Sequence, residues 1–339
     1  MPDPIRIGVI GLGFMGSTHA RCYQSATAAG LPCRLAGVAD RSPDRLTGLA
    51  SVTGNIATGA PDRLFDPAQV RTFTDPLALI ADPGIDAVSI CTHTRTHVDL
   101  AIAALRAGKH VLVEKPLSLE ITDAQRLHPV AAQHPRLVCM PAMVMRFWPG
   151  WPLVRDAIRT GIHGSLRTLT LTRRGSTPPW SPDFYQNADE SGAALFDLHV
   201  HDADFILWCL GTPTSVTSTG DYRHVTTLYR YPDVPHVVAE GGTDHDPAYG
   251  FHIRLTAVFE RATIDFDLGR TPNLILCQNG VRQDLPAPPE GPFDLEIRGF
   301  IDAIQSGTQP IPIGDAVAAI RLLHAERSSL LERREVATS

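Results

Sequence analysis

The sequence lacks several features that would place it in a specialised class of protein. No run approaches the roughly 20 apolar residues of a membrane-spanning helix, and residues 1–10 lack the basic start and apolar stretch of a signal peptide. The six cysteines form no CxxC pair, which argues against a disulfide framework and a structural zinc site. We therefore expect a cytoplasmic chain that does not associate with membranes.

The chain also lacks an excess of positive charge. It has 30 Lys and Arg residues against 36 Asp and Glu residues, for a formal net charge of −6. Such a chain offers no broad basic field to a phosphate backbone, so nucleic acid is not an expected partner. A small molecule is the better expectation.

Length and hydrophobic pattern predict two domains. At 339 residues with 43% hydrophobic content, the chain exceeds what one core usually supports. In the first third, apolar strands alternate with helices, and crossovers of this length join parallel strands, which predicts a doubly wound α/β sheet. The predicted strands are 5–10, 34–39, 85–91 and 110–113, and the predicted helices are 16–29, 43–53 and 96–107.

The pattern changes near residue 120. Strands of alternating polarity follow and predict an α+β domain built on a large, open, mostly antiparallel sheet. We expect domains at 1–120 and 121–339, with a helix at 194–210. The predicted strands of the second domain are 166–173, 216–219, 225–231, 252–259 and 262–268, and a further strand is expected at 137–140.

A glycine-rich turn follows the first strand. Gly11, Gly13 and Gly16 form the GxGxxG pattern, with Phe14 and Met15 between the last two glycines. The first glycine permits the tight turn, the second lets the backbone approach a pyrophosphate, and the third lets the helix pack on the strand. Free amides at the helix start favour the negative charge, so we expect these five residues to bind a dinucleotide.

The second strand ends at Asp40, where an acidic residue accepts hydrogen bonds from the adenosine ribose in such sites. Arg41 is placed to bind a 2′-phosphate, but the carboxylate beside it would repel that phosphate. NAD is therefore favoured, and NADP is the alternative.

The stretch from Cys91-Thr92 to Gly108-Lys109-His110-Val111-Leu112-Val113-Glu114-Lys115-Pro116 closely resembles the glucose-fructose oxidoreductase, inositol dehydrogenase and MocA (Gfo/Idh/MocA) family. The resemblance implies a Rossmann domain followed by an open-sheet domain that forms homodimers or homotetramers. It implies that Lys115 lies beside the nicotinamide and substrate, and that Thr92, His97 and Glu114 lie near the cofactor.

A second motif, from Asp197 to Asp204, is similar to the family's Asp-x-x-x-His-x-x-Asp. On a helix Asp197 and His201 share one face. An imidazole titrates near working pH, so His201 is the expected general base, held by Asp197, and Lys115 would stabilise alkoxide character. Arg146-Phe147 resembles an Arg-Phe that enters the substrate cleft in relatives, so Arg146 is the expected substrate contact.

A metal site is an alternative at His199, His201 and Asp202. Residues two apart point to nearly opposite sides of a helix, so these side chains should not converge, and His199 is expected to support or contact the substrate instead. Residues 243–246 are interpreted as a solvated loop. We predict no metal.

Together the motifs predict hydride transfer between NAD(P) and a secondary alcohol of a sugar, sugar derivative or cyclitol. Two alternatives stay open. One is glycoside cleavage by transient oxidation and elimination, with NAD recycled. The other is a non-catalytic dinucleotide sensor.

Overall fold

The computed structural model describes residues 3–49, 54, 63–286 and 288–338. Two compact units divide the chain: Met1–Val144 with Pro292–Val317, and Met145–Gly291 with Ala318–Ser339. No helix among the described residues is long and apolar enough to cross a membrane. The helices are α1 (Phe14–Ala28), α2 (Pro76–Ala81), α3 (His97–Arg106), α4 (Ile121–Gln133), α5 (Trp151–Thr160), α6 (Pro182–Gln186), α7 (Ala188–Ser191), α8 (Val200–Leu210), α9 (Pro292–Ser306) and α10 (Ile313–Glu332).

The first unit is built on a six-stranded parallel sheet, which confirms the predicted α/β class. Its order, β3-β2-β1-β4-β5-β6, reverses direction between β1 and β4, where ligands bind in sheets of this kind. The central strands are almost fully buried because helices cover both faces. The strands are β1 (Ile5–Ile10), β2 (Cys33–Ala39), β3 (Arg71–Phe73), β4 (Ala87–Ile90), β5 (His110–Val113) and β6 (Cys139–Pro141).

The first unit extends past the boundary expected at residue 120. Strand β6, expected in the second domain, pairs in parallel with β5, and α9 packs on α1 although it comes far later in the chain. The helix expected over 43–53 is a single 3₁₀ segment, Pro43–Thr47. It ends because Gly48 takes a left-handed conformation with φ of 82°, and residues 50–53 lie outside the described residues.

The second unit contains a nine-stranded sheet in the order β14-β13-β12-β11-β7-β10-β9-β8-β15, antiparallel except where β10 pairs with β7. Buried and half-exposed residues alternate along β7 and β11, so one face of the sheet packs on the core. The strands are β7 (Leu166–Arg174), β8 (Ser215–Gly220), β9 (His224–Arg230), β10 (His236–Gly242), β11 (His252–Phe259), β12 (Ala262–Asp267), β13 (Leu274–Gln278), β14 (Val281–Leu285) and β15 (Val336–Ala337).

The helix expected over 194–210 has two parts. Ala194–Leu198 is a π-helical turn, closed by the amide of His199 donating to the carbonyl of Ala194, and α8 follows. Ala193 precedes the turn with φ of 50°, an uncommon conformation for a residue with a Cβ. The backbone therefore departs from an α-helix where the second motif begins.

Candidate active site

The three glycines of the turn after β1 each meet a different physical requirement. A Cβ on Gly11, whose φ is 86°, would lie 2.7 Å from the carbonyl oxygen of Cys91, and one on Gly16 would lie 1.6 Å from that of Gly11. A Cβ on Gly13 would meet nothing within 4 Å. Gly11 and Gly16 thus make the turn compact, while Gly13 keeps space open in front of the turn.

The start of α1 can accept an anion. Its N-cap is Gly13, no side chain among the described residues caps it, and no acidic residue lies in its first turn, where Phe14 and Met15 are half-buried. Uncapped amides at a helix start carry partial positive charge. With the open space at Gly13, the structure fits the pyrophosphate of a dinucleotide.

Asp40 ties the end of β2 to the glycine turn. Its carboxylate accepts hydrogen bonds from the amides of Leu12 (2.7 Å) and Ser42 (2.8 Å), and Arg45 lies 3.4 Å away. Arg41 is exposed. Because each carboxylate oxygen has two lone pairs, Asp40 can accept a ribose hydroxyl as well.

His97 joins two predicted cofactor segments. This buried imidazole lies with its two ring nitrogens 2.9 Å from the carbonyl oxygens of Thr92 and Pro116. Burial lowers the pKa of His97 below its ordinary value, so the neutral ring is favoured. A neutral ring has one N–H, so His97 donates to one of these carbonyl oxygens and packs against the other, between the Thr92 loop and the segment that follows Lys115. Its direct contact with a cofactor stays a prediction.

Glu114 lies in a buried polar cluster that the sequence analysis did not identify. The Nε2 atom of His19 lies 3.1 Å from Oε1 of Glu114, and its Nδ1 atom lies 3.5 Å from the sulfur of Cys91. Burial alone would raise the pKa of Glu114, but His19, with smaller contributions from Lys115 and His97, holds the pKa below its usual range. Glu114 also accepts a 3.1 Å hydrogen bond from the amide of Lys115, whose bond to Pro116 is cis.

A second buried carboxyl belongs to Glu296 on α9. Burial, reinforced by the charge of Glu114, raises the pKa of Glu296 well above its usual value. Its Oε1 atom is buried and makes no hydrogen bond among the described residues. No sequence spacing links positions 19, 114 and 296, although a histidine within the buried face of α1 was a visible signal.

In the second unit, ion pairs surround the Asp197–His201 segment. Both residues are half-buried. Three residues beside His201 form buried contacts: His199 with Glu326 at 3.0 Å, Asp202 with Arg173 at 3.0 Å, and Asp204 with Arg146 at 2.6 Å. The segment is therefore anchored to α10, β7 and the residues preceding α5.

These contacts change the interpretation of two predicted residues. His199 is fully buried, and its imidazole contacts Glu326 and the hydroxyl of Tyr229 (3.1 Å). Arg146, the expected substrate contact, is 7% exposed and forms two hydrogen bonds to Asp204. Both side chains have structural partners, and the substrate contact of Arg146 stays a prediction.

Two family models cover most of the chain. One, described as an oxidoreductase family with an NAD-binding Rossmann fold, matches residues 5–141, and the GFO/IDH/MocA C-terminal domain matches residues 151–264. The chain belongs to the Gfo/Idh/MocA family. The resemblance stated from the motifs is thus confirmed.

Individual Gfo/Idh/MocA proteins match over nearly the whole chain. Inositol 2-dehydrogenase of Rhizobium meliloti (strain 1021) is 29% identical, and myo-inositol 2-dehydrogenase of Thermotoga maritima is 28% identical, each alignment covering 98% of both chains. The structure of scyllo-inositol dehydrogenase from Lactobacillus casei, with NAD(H) and scyllo-inositol, is 20% identical and covers 99% of both chains with a TM-score of 0.78. That likeness shows the fold.

Proposed function

We propose that this Gfo/Idh/MocA protein is an NAD-dependent oxidoreductase acting on a secondary alcohol of a sugar, sugar derivative or cyclitol. The observation that carries the proposal is the open glycine turn, with the uncapped start of α1 and the carboxylate of Asp40 beside it. Inositol dehydrogenases that align over 98% of the chain support the substrate class.

NAD is the proposed cofactor in preference to NADP. The Asp40 side chain is 8% exposed and lies between the glycine turn and Arg45. A 2′-phosphate placed at this carboxylate would meet like charge. The positive charge of the adjacent Arg41 would attract that phosphate. We therefore expect NADP to bind as well, but more weakly than NAD.

Bound NAD supplies the nicotinamide ring that accepts the hydride. We assign His201 as the base that removes the hydroxyl proton, with Asp197 stabilising the imidazolium that forms. Lys115 donates to the same oxygen and stabilises alkoxide character. Glu114 holds the backbone amide of Lys115, and the resemblance supports its place near the cofactor ribose.

We further propose that the protein is a cytoplasmic homodimer or homotetramer. The sheet of the second unit supports self-association, because Thr170, Thr172, Val238 and Val258 are only half-buried within one copy. No nucleic acid or membrane takes part in the proposed function.

The test is an assay of NADH formation with a panel of inositols, monosaccharides and glycosides. We expect one NADH for each alcohol oxidised, and Lys115→Ala should lower kcat by a factor on the order of 10²–10³ while NAD still binds. Glu120→Ala, on an exposed residue nearby, is the control. Sugar release from a glycoside without net NADH, or unchanged turnover of Lys115→Ala, would contradict the assignment.

A further inference from the structure

Two histidines and an aspartate converge in the second unit, and none has a role in the proposed reaction. His224 begins β9, while Asp244 and His245 follow β10. The Nδ1 atoms of His224 and His245 lie 2.9 Å and 3.3 Å from the same oxygen of Asp244. All three potential ligand atoms lie within 4.8 Å of one another.

These separations suit a common ion. Ligand atoms about 2.0–2.2 Å from a tetrahedral zinc ion lie roughly 3.3–3.5 Å from each other. The 3.3 Å separation between Nδ1 of His245 and the Asp244 oxygen falls in this range. Nδ1 of His224 forms a 2.9 Å hydrogen bond to that oxygen, and an ion that replaced the shared proton would require this separation to lengthen by about 0.4 Å. Two imidazole nitrogens with one carboxylate oxygen are donors that suit zinc, whereas calcium and magnesium prefer oxygen alone.

The far side of His224 provides an independent indication. Its Nε2 atom lies 3.1 Å from Oε1 of Glu240, so an Nε2–H can donate to that carboxylate. Histidines that bind metal commonly donate their other ring nitrogen to a carboxylate, which fixes the tautomer and orients the ligand. Glu240 therefore prepares Nδ1 of His224 as a ligand.

His245 provides a third indication. Its Nδ1 atom is buried and contacts Asp244 at 3.3 Å without forming a hydrogen bond, and its ring stacks on Tyr249 with centroids 4.5 Å apart. A buried ring nitrogen that faces a carboxylate without hydrogen-bonding to it is placed to bind an ion shared with that carboxylate. A cation between Asp244 and His245 would satisfy this nitrogen.

The backbone also makes room for His224. A Cβ on Gly242 would lie 2.7 Å from Nδ1 of His224. Glycine at the end of β10 thus leaves this nitrogen accessible.

We propose that Nδ1 of His224, the carboxylate of Asp244 and Nδ1 of His245 bind one divalent first-row transition-metal ion, with zinc the best match. The ion clamps the start of β9 to the loop after β10, and water completes its coordination. This site is independent of the oxidoreductase proposal, and it replaces the solvated-loop interpretation of residues 243–246.

The experiment titrates zinc into the full chain by calorimetry, after tag removal and chelator treatment. We expect one equivalent to bind, with that equivalent lost in His224→Ala and in His245→Ala. Glu240→Gln should keep the stoichiometry and bind about 10- to 100-fold more weakly. His236→Ala, an exposed histidine at the opposite end of β10, should bind as the unchanged chain does.

Asp244→Asn is a near-isosteric variant, so it keeps the test valid if an alanine variant does not fold. We expect it to bind zinc at least tenfold more weakly than the unchanged chain. Absence of a stoichiometric zinc ion in the unchanged chain would overturn the proposal. Equal zinc affinity in the His245→Ala or Asp244→Asn variants would overturn it as well. Magnesium in place of zinc should give no comparable binding.

Discussion

Two buried carboxyl groups in the first unit have opposite pKa shifts. The pKa of Glu114 lies below its usual range because of His19 and Lys115, whereas burial and the charge of Glu114 raise the pKa of Glu296. Neighbouring buried carboxyls cannot both ionise cheaply, so one holds a proton while the other is charged. The two directions favour the proton on Glu296 and the charge on Glu114, which is beside Lys115.

This assignment predicts how Glu296→Gln changes stability with pH. The pKa of Glu296 is higher in the folded chain than in the unfolded chain, where it is about 4.3. The protonated carboxyl therefore stabilises the fold fully below about pH 4.3, and this contribution is lost as the pH rises toward the pKa of the folded chain. A tenfold difference in proton affinity between the folded and unfolded chain corresponds to about 1.4 kcal/mol. Urea denaturation should therefore show Glu296→Gln gaining stability relative to the unchanged chain between pH 5 and pH 8.

The matched control is Asp302→Asn, on an exposed residue of the same helix, α9. Its stability relative to the unchanged chain should vary less with pH over that interval. A Glu296→Gln difference that stays constant with pH would refute the protonated state of Glu296.

Asp40 carries the second prediction at this scale. Its carboxylate orders the glycine turn through Leu12 and is proposed to accept a ribose hydroxyl. Hydrogen bonds to a charged group contribute about 1.5–3 kcal/mol each, so Asp40→Ala should weaken NAD binding about 10- to 100-fold. The same variant should reduce the preference of the protein for NAD over NADP. Fluorescence titration measures both constants, with the exposed Asp44→Ala as control. An unchanged NAD affinity would remove Asp40 from the site.

Among the elements, the segment from Asp197 to Asp204 combines a strained start with strong anchoring. The π-helical turn carries Asp197, and π-bulges occur frequently at functional sites. The sequence predicted one continuous helix because its apolar pattern does not distinguish an α-turn from a π-turn. Nor does local spacing reveal that His199 reaches Glu326, 127 positions later.

We expect the removal of Glu326, one of the residues that anchor this segment, to lower the stability of the fold. Glu326 lies fully buried against His199, and it accepts a hydrogen bond from the hydroxyl of Tyr229. Breaking a buried ion pair by removing one partner costs about 3–5 kcal/mol, so Glu326→Ala should be destabilised by that amount in urea denaturation. Arg321→Ala, exposed on the same helix, should change stability by less than about 0.5 kcal/mol. A loss below about 1 kcal/mol for Glu326→Ala would contradict the anchoring role.

For the whole molecule, the sequence predicted the presence and type of the two sheets, but not all of their strands or the boundaries of the two units. The alternation of strands and helices predicted the parallel sheet because its central strands are apolar and their crossovers are local. Strands β3, β10, β13, β14 and β15 were missed. Strands β3 and β15 are only three and two residues long, β10 ends in two glycines, and β14 is mostly exposed. The return of residues 292–317 to the first unit depends on long-range packing of α9 on α1, which local periodicity does not encode.

The central claim is direct hydride transfer between an alcohol carbon and the nicotinamide ring, assisted by Lys115 and His201. The most direct measurement is mass spectrometry of the NADH formed from a cyclitol carrying deuterium at the oxidised carbon. We expect one deuterium in each NADH, with formation of labelled NADH greatly slowed in Lys115→Ala and His201→Ala although both variants bind NAD. NADH without deuterium, or labelled NADH formed at the full rate by either variant, would contradict the account.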